Sequence, residues 1–416
     1  MIKIIFLEAV KMLDKDFKPT VRFMVVSDIH IKDEDCIEEQ RFDSALKYAY
    51  SIAKSSDSYK RLDAIAIVGD FANSGTEVQM KKTKDILDVN LDYSETQVIA
   101  SFASHESNRD GAPAAAERMK RILGQDADQH KVINGFHFVS SSPSKGCNYD
   151  DEKKAWMAKE LEAAAKDDRR KPVFVFQHPH NTATVYGSML WGEDDLISIY
   201  MNYPQIVHFS GHSHAPINDP RSVHQQHFTC FGTGTLSYFE MDEFDKAVGT
   251  IPEKSKNAAQ MLIVEADEQN RVRVYPFDVI TGNFFPYIWK IDTPSDIDSF
   301  EYTAKRYQTR VVPRFDGSAK ITFSDVTDSS FKVEFDQAQI DKDYVNSYDL
   351  ILKNSDGFVV RHLSIWSEYY FYDMPKTRTA EFSGLEPNTE YSLTIKAQGF
   401  WNNISENSLN ANIKTL

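Results

Sequence analysis

The sequence predicts an α/β domain followed by a small all-β domain. Three observations predict it. Apolar, valine-rich runs alternate with helical periodicity through most of the chain; clusters rich in aspartate and histidine stand at the ends of those runs; and beyond about residue 319 only short strand-like segments separated by turns remain. At 416 residues the chain also exceeds what one hydrophobic core usually supports. The expected boundaries are 18–292 for the first domain, 293–317 for a polar linker and 318–416 for the second domain.

The run 21–27, Val-Arg-Phe-Met-Val-Val-Ser, is apolar apart from one arginine, which suits a strand buried within a sheet. Phe42, Ala45, Leu46, Ala49, Ile52 and Ala53 then recur at helical spacing across 39–55. A second buried strand, 62–68, runs into Gly69 and Asp70. Strand, helix, strand opens an α/β architecture. The pattern continues with a strand at 96–102, a helix at 151–166 and strands at 172–177 and 205–210. The alternating segments 261–266 and 272–278 predict a hairpin turning near Gln269 and Asn270, and short strands at 320–323, 331–335, 347–353 and 391–397 build the all-β domain.

Composition narrows the function. Hydrophobic residues make up 41% and charged residues 26%, the balance of a globular chain. A formal net charge of -15 disfavours capture of nucleic acid or of an anionic membrane, since both need a basic face. Cys36, Cys147 and Cys230 are odd in number and far apart, so they read as buried or incidental thiols rather than a disulfide framework or thiolate metal site. No run approaches the roughly 18 apolar residues that span a bilayer, and the apolar run 4–7 is too short for a secretory signal. As written, the chain is expected to be soluble and cytoplasmic, or extracellular if a leader has been trimmed. Neither Gly-x-Ser-x-Gly nor a Gly-Lys-Ser/Thr loop occurs, which removes support for a serine hydrolase or a P-loop enzyme.

The chemistry concentrates in clusters that follow the buried strands: Asp28-Ile29-His30, Gly69-Asp70, Ser104-His105-Glu106, Gln177-His178 and Gly211-His212-Ser213-His214. Strand ends are where α/β sheets let loops converge on a ligand. Carboxylate oxygen and imidazole nitrogen are ligands for divalent cations, and two cations about 3.5–4 Å apart need a shared carboxylate plus several further ligands. Asp-x-His alone is common and a lone histidine after a strand is usually structural. Five such clusters in this order are not explained that way.

In order and spacing the clusters resemble the five blocks of the calcineurin-like metallophosphoesterases, over roughly residues 20–290. The stretch Val185-Tyr186-Gly187-Ser188 with Trp191-Gly192, leading to Gly211-His212-Ser213-His214, resembles a bacterial branch of that superfamily. The resemblance implies a four-layer α/β/β/α sandwich with a dinuclear site on one edge. Carried over position by position, Asp28, His30 and His214 would hold the first metal, His178 and His212 the second, and Asp70 would bridge. The implied reaction is hydrolysis of a small-molecule phosphodiester or phosphomonoester by a metal-bridging hydroxide, with His105 beside the site to donate to a phosphoryl oxygen or protonate the leaving group. The implied cofactors are two divalent ions, manganese, iron or zinc.

The third block departs from the family. Ala103-Ser104-His105-Glu106 stands where Gly-Asn-His-Glu or Gly-Asn-His-Asp is usual, so Ser104 occupies the position of an asparagine ligand to the second metal. A serine hydroxyl is shorter and a poorer ligand. His180, two residues past His178, is a candidate substrate contact or a solvent-facing loop residue. Asn73 is a candidate for orienting the loop of the bridging carboxylate and touching substrate, or a simple turn residue. His208 falls inside a strand and reads as structural, and His130 and His137 show no pattern. Loops 108–113 and 182–193 are expected to shape the pocket.

Leu385-Glu386-Pro387-Asn388-Thr389-Glu390-Tyr391, followed by alternating Leu393, Ile395 and Ala397, resembles the late-strand signature of fibronectin type III domains, in which a corner tyrosine bonds back to the upstream backbone. Such a sandwich could contact a polymer or a protein, or act as a scaffold. Trp366, Tyr369, Tyr370, Phe371 and Tyr372 form an aromatic cluster suited to burial or to a carbohydrate. Two functions of different class follow: a metal-dependent phosphohydrolase, or a binding or regulatory protein whose site is impaired at Ser104. A nuclease is disfavoured by the acidic balance.

Overall fold

The computed structural model describes residues 13–241 and 251–416, so the apolar run 4–7 lies outside the described residues. The chain divides into two compact units, Met1–Thr303 and Ala304–Leu416. The division falls inside the stretch read as a linker, which carries the 3-10 turns Ile297–Ser299 and Ala304–Gln308.

The first unit runs β1 (Pro19–Val26), α1 (Ile37–Ser55), β2 (Ala64–Val68), α2 (Glu77–Asn90), β3 (Gln97–Ser101), α3 (Ser104–Ser107), α4 (Ala112–Leu123), β4 (Asp128–Ile133), β5 (Phe136–Ser141), α5 (Asp151–Asp167) and β6 (Val173–Phe176). It continues with β7 (Ile206–Ser210), β8 (Val223–Gln225), β9 (Thr229–Gly232), β10 (Gln260–Asp267), β11 (Val272–Asp278), β12 (Asn283–Phe284) and β13 (Trp289–Ile291). One sheet has the order β12-β11-β10-β1-β2-β3, with β13 also on β11; the other has the order β8-β9-β7-β6-β5-β4. In each, parallel strands (β1-β2-β3 and β5-β6-β7-β9) bring the loops at their C-terminal ends to one edge.

Three apolar layers hold the unit together. Val21, Phe23 and Val25 on one side of β1 meet Phe138, Phe174, Phe176 and Phe209 of the other sheet. Met24 and Val26, on its opposite side, pack with Phe42, Leu46, Met80 and Met119 of the helices α1, α2 and α4. Met157 and Leu161 of α5 close the far side over Val139, Val173 and Val175. Helix, sheet, sheet, helix is thus the layer order. Both faces of β1 are covered, which is why its sequence reads as a continuous apolar run. Its one charge, Arg22, is 1% exposed and meets Glu265 of the adjacent β10 at 2.6 Å, so the buried guanidinium is paired across the sheet.

Sequence periodicity locates α1, α5 and the β10–β11 hairpin to within about two residues. The helices α2 and α4 and the β4–β5 hairpin carry no comparable reading from the sequence. Their patterns are diluted: α2 buries only Gln79, Met80, Thr83 and Leu87.

The second unit is a sandwich of a three-stranded sheet, β14 (Ile321–Ser324), β15 (Ser330–Asp336) and β18 (Thr377–Ser383), and a four-stranded sheet, β16 (Ser347–Asn354), β17 (Val359–Trp366), β19 (Glu390–Gln398) and β20 (Leu409–Lys414). Phe331, Val333 and Phe335 meet Tyr348, Leu350, Leu393 and Ile395 between the sheets. The hydroxyl of Tyr391 accepts the Glu386 backbone N–H at 2.9 Å, so the corner tyrosine bonds upstream as its motif predicts. Tyr369 and Tyr370 of the aromatic cluster are buried, with Tyr369 edge-on to Phe400, the centroids 4.8 Å apart.

Candidate metal centre

The ligand candidates meet at the edge where the parallel strands of both sheets end. Pairing continues past the strands and fixes the loops. Asp28 N donates to Gly69 O at 3.2 Å and His30 N to Asp70 O at 3.0 Å, extending β1–β2; Gly211 N donates to His178 O at 2.9 Å, extending β6–β7. The two sheets are joined at the site by Leu236 N and Thr235 Oγ1, which both donate to Asp28 O, at 3.3 and 3.0 Å.

These turns demand unusual backbone. Asp28, His30, Asp70, His212 and His214 all adopt positive φ, 50°, 56°, 48°, 74° and 53°. Left-handed backbone costs a non-glycine residue on the order of 1 kcal/mol, and its concentration in one loop cluster marks a site rather than an economical turn. Gly69, at φ 78°, faces the ring of His178: a Cβ there would lie 2.6 Å from His178 Cγ.

Ligand atoms of Asp28, His30 and His214 lie within 4.8 Å of one another, as do those of Asp70, His178 and His212, and those of His30, Asp70 and His105. Asp28 Oδ2 accepts the backbone N–H of His212 at 3.1 Å. Its Oδ1 has no hydrogen-bond partner among the described residues and faces His214 Nε2 at 3.2 Å, His178 Nε2 at 3.8 Å and His30 Nε2 at 4.0 Å. His178 Nε2, also without a hydrogen bond, stands 3.0 Å from Asp70 Oδ2. Both orphaned atoms are buried.

The far ring nitrogens set the tautomers. Nδ1 of His178 donates to Val68 O at 2.7 Å, Nδ1 of His214 to Tyr238 O at 3.0 Å, and Nδ1 of His105 to Asn73 O at 2.7 Å. With Nδ1 committed in this way, each ring directs its Nε2 toward the cluster, the arrangement typical of histidines that ligate metals once Nε2 gives up its proton. Charge agrees. Burial alone lowers the pKa of His178, but Asp70 and Asp28 override it and raise it to about 10. Burial opposes ionisation of Asp28 and Asp70, yet the surrounding histidines hold both well below the usual carboxylate range. Burial, then His214, lowers His30 to about 3, and burial, then His178, lowers His212 to about 4. Ionised carboxylates among imidazoles, those of His30 and His212 held neutral, with Asp28 Oδ1 and His178 Nε2 orphaned, are a donor set that a divalent cation fits.

The remaining candidates separate. Ser104 opens α3 beside His105, whose backbone N–H donates to Asp70 Oδ1 at 3.1 Å. Glu106, fully buried, accepts backbone N–H groups of Asp70, Ala72 and Ala103 at 3.2, 2.7 and 2.8 Å and so braces the loop of Asp70. Asn73 is exposed and acts through its carbonyl, on His105, not through its amide. His180 corrects the expectation of a substrate contact or solvent-facing residue: it is 1% exposed, with Nδ1 2.7 Å from Ser210 Oγ and Nε2 2.8 Å from Ser213 Oγ. Its two nitrogens are taken by the last residue of β7 and by the loop that carries His212 and His214. Cys147, read as a buried or incidental thiol, has its Sγ 3.4 Å from His212 Nε2. Tyr238 and Trp191 were missed as site residues; their rings lie 4.4 Å from His214 and 5.2 Å from His212. His130 and His137 are not isolated either, since they join at 2.7 Å between Glu160 and Asp167.

Comparison with known proteins agrees with this geometry. Residues 21–216 match the profile of the calcineurin-like phosphoesterases, and residues 316–408 match that of the fibronectin type III domain. The chain therefore carries a calcineurin-like phosphoesterase domain followed by a fibronectin type III domain. That family fits a metal-dependent phosphoesterase, and its members are generally hydrolytic. No curated protein sequence matches the chain. Similar solved structures include a fibronectin type III domain of human collagen XX, at 19% identity, covering 26% of this chain and 93% of that one with a TM-score of 0.20. Another, described as a myokine structure, is 18% identical and covers 26% of this chain and 98% of its own with a TM-score of 0.19. At these scores the likeness identifies neither a fold for the whole chain nor a function. Among the described residues no helix is long and apolar enough to cross a membrane.

Proposed function

We propose that the protein hydrolyses a small-molecule phosphate ester at a dinuclear metal site. The observation that carries this is the convergence of Asp28, His30 and His214 with Asp70, His178 and His212, together with the two buried atoms, Asp28 Oδ1 and His178 Nε2, that lack hydrogen bonds. Asp28, His30 and His214 would hold one ion, and His178 and His212 the other. Asp70 would serve both, with Ser104 at the edge of the second.

When bound, two divalent cations, manganese, iron or zinc, would withdraw charge from the phosphoryl oxygens and make water available as a nucleophile near neutral pH. The chain's own residues do the rest. Val68, Tyr238 and Asn73 carbonyls orient the imidazoles of His178, His214 and His105. Asp70 is positioned by the His105 N–H and, through its own backbone, by Glu106. His105 stays partly exposed, 4.5 Å ring to ring from His30, where its Nε2 can hold or pass a proton at the phosphoryl or leaving-group oxygen.

A second reading is favoured by Ser104 in place of the family's asparagine: a binding or regulatory protein whose second ion is weakly held. Elemental analysis of purified protein, paired with hydrolysis of bis-p-nitrophenyl phosphate and p-nitrophenyl phosphate in added manganese, separates the two. Two ions per chain and manganese-stimulated turnover are expected. One ion or none, with no turnover, would transfer the conclusion to the second reading.

A further inference from the structure

Two aromatic rings flank the candidate ligand cluster, each against different histidines. Tyr238 lies 4.4 Å from His214 and 6.2 Å from His30, on the side of Asp28. Trp191 lies 5.2 Å from His212, its plane turned 81° to the imidazole, on the side of Asp70 and His178. Both are partly exposed. The surface beyond Trp191 is apolar, since Leu190 and Met189 are 48% and 72% exposed.

This apolar strip is held in place. The segment 182–193 is fastened to the loop of His178 by parallel pairing of His180 with Gly192 and Asn181 with Glu193. Leu190 N and Trp191 N both donate to Gly187 O, at 3.2 and 3.0 Å, and Ser188 Oγ accepts from Thr184 N at 3.0 Å. Gly192 has no room for a side chain: a Cβ would meet Ser188 O at 2.2 Å. A partly exposed indole held by fixed backbone directly beside the cluster is placed to meet a ligand bound there.

Resting on the hydrolytic reading above, we infer that Trp191 seats the leaving group of the substrate, so that the preferred esters are those of flat aromatic alcohols. A ring stacked on or edge-on to the indole retains the phosphoryl group over the ligands and excludes water from the ester bond. A short polar alcohol would leave the indole uncovered.

The test is binding rather than turnover. With manganese added, the full chain is titrated with phenylphosphonate and with methylphosphonate, neither of which has an ester bond to hydrolyse. Phenylphosphonate is expected to bind about tenfold more tightly. Trp191→Ala should remove that preference without changing manganese content, and Trp191→Phe should restore most of it. Equal affinity for the two phosphonates in the native chain overturns the inference, as does a Trp191→Ala variant that keeps the preference or weakens both ligands alike, because the ring then only supports His212. Tight, Trp191-dependent phenylphosphonate binding in a protein that hydrolyses no ester would keep this inference and overturn the hydrolytic reading alone.

Discussion

His178 Nε2 stands 3.0 Å from Asp70 Oδ2 while its Nδ1 is committed to the Val68 carbonyl at 2.7 Å. Without metal, a carboxylate this close favours the protonated imidazole, consistent with a pKa raised to about 10 despite burial. A raised folded-state pKa contributes stability that is complete below the unfolded value, about 6.5, and is lost as pH rises toward 10. Thermal denaturation in chelator should therefore show Tm falling across that window, and manganese, which replaces the proton, should remove the decline. Manganese affinity should rise with pH over the same range, by up to about tenfold per unit. A flat Tm in chelator from pH 6.5 to 10 would show that no such proton is held.

Ser104 stands in α3 immediately before His105. Ser104→Asn supplies the amide oxygen that serine lacks, so occupancy of the second ion and turnover should both increase, turnover by about tenfold. Metal content by elemental analysis and rate on bis-p-nitrophenyl phosphate check this. Unchanged values would mean that serine suffices.

Gly69 combines φ 78° with contact against His178. Gly69→Ala should cost about 2–4 kcal/mol and displace the imidazole, lowering metal content. Gly124→Ala is the control, because Gly124 has φ 71° at the end of α4 but nothing within 4 Å of an added Cβ. It should cost about 1 kcal/mol and leave metal content unchanged. Equal metal loss in both variants would refute the steric argument.

His208 is buried in β7 beside Tyr200 and Phe228, and neither ring nitrogen has a hydrogen-bond partner among the described residues. Burial lowers its pKa to about 3, so it stays neutral in the fold while the unfolded chain takes up a proton below about pH 6.5. Stability from this group is complete above 6.5 and lost as pH falls toward 3. His208→Leu should raise stability at pH 7 by about 1–2 kcal/mol and flatten the acid side of the Tm profile. A destabilised variant would instead reveal a required partner for the ring.

Tyr391→Phe removes the acceptor of the Glu386 N–H in the second unit. It should destabilise that sandwich by about 1–2 kcal/mol and leave metal content and the hydrolysis proposed for the first unit unchanged, which urea denaturation, elemental analysis and an assay on the full chain would check.

The α/β order and every acidic or histidine ligand candidate were legible because buried parallel strands are apolar on both faces and end in polar loops. Each cluster announced itself at a strand end, as Asp28 does after 21–27 and His178 after 172–177. The partners of those residues were not legible. Nothing near His180 in the sequence points to Ser210 and Ser213, 30 and 33 residues away. Cys147 and His212 are separated by 65 residues, and Asp28 and His214 by more than that.

The sequence by itself determined which side chains are available, in what order, and on which kinds of element, because hydrophobic periodicity and strand-end chemistry are local. Tertiary structure alone decided what those side chains do. Closing one sheet on the other brings loops after β1, β2, β6 and β7 to one edge, where Asp28, His30, Asp70, His212 and His214 adopt left-handed backbone, turns His180 inward and leaves Trp191 and Tyr238 beside the candidate ligands. Those outcomes depend on packing between segments far apart in the chain, which no local pattern of residues encodes.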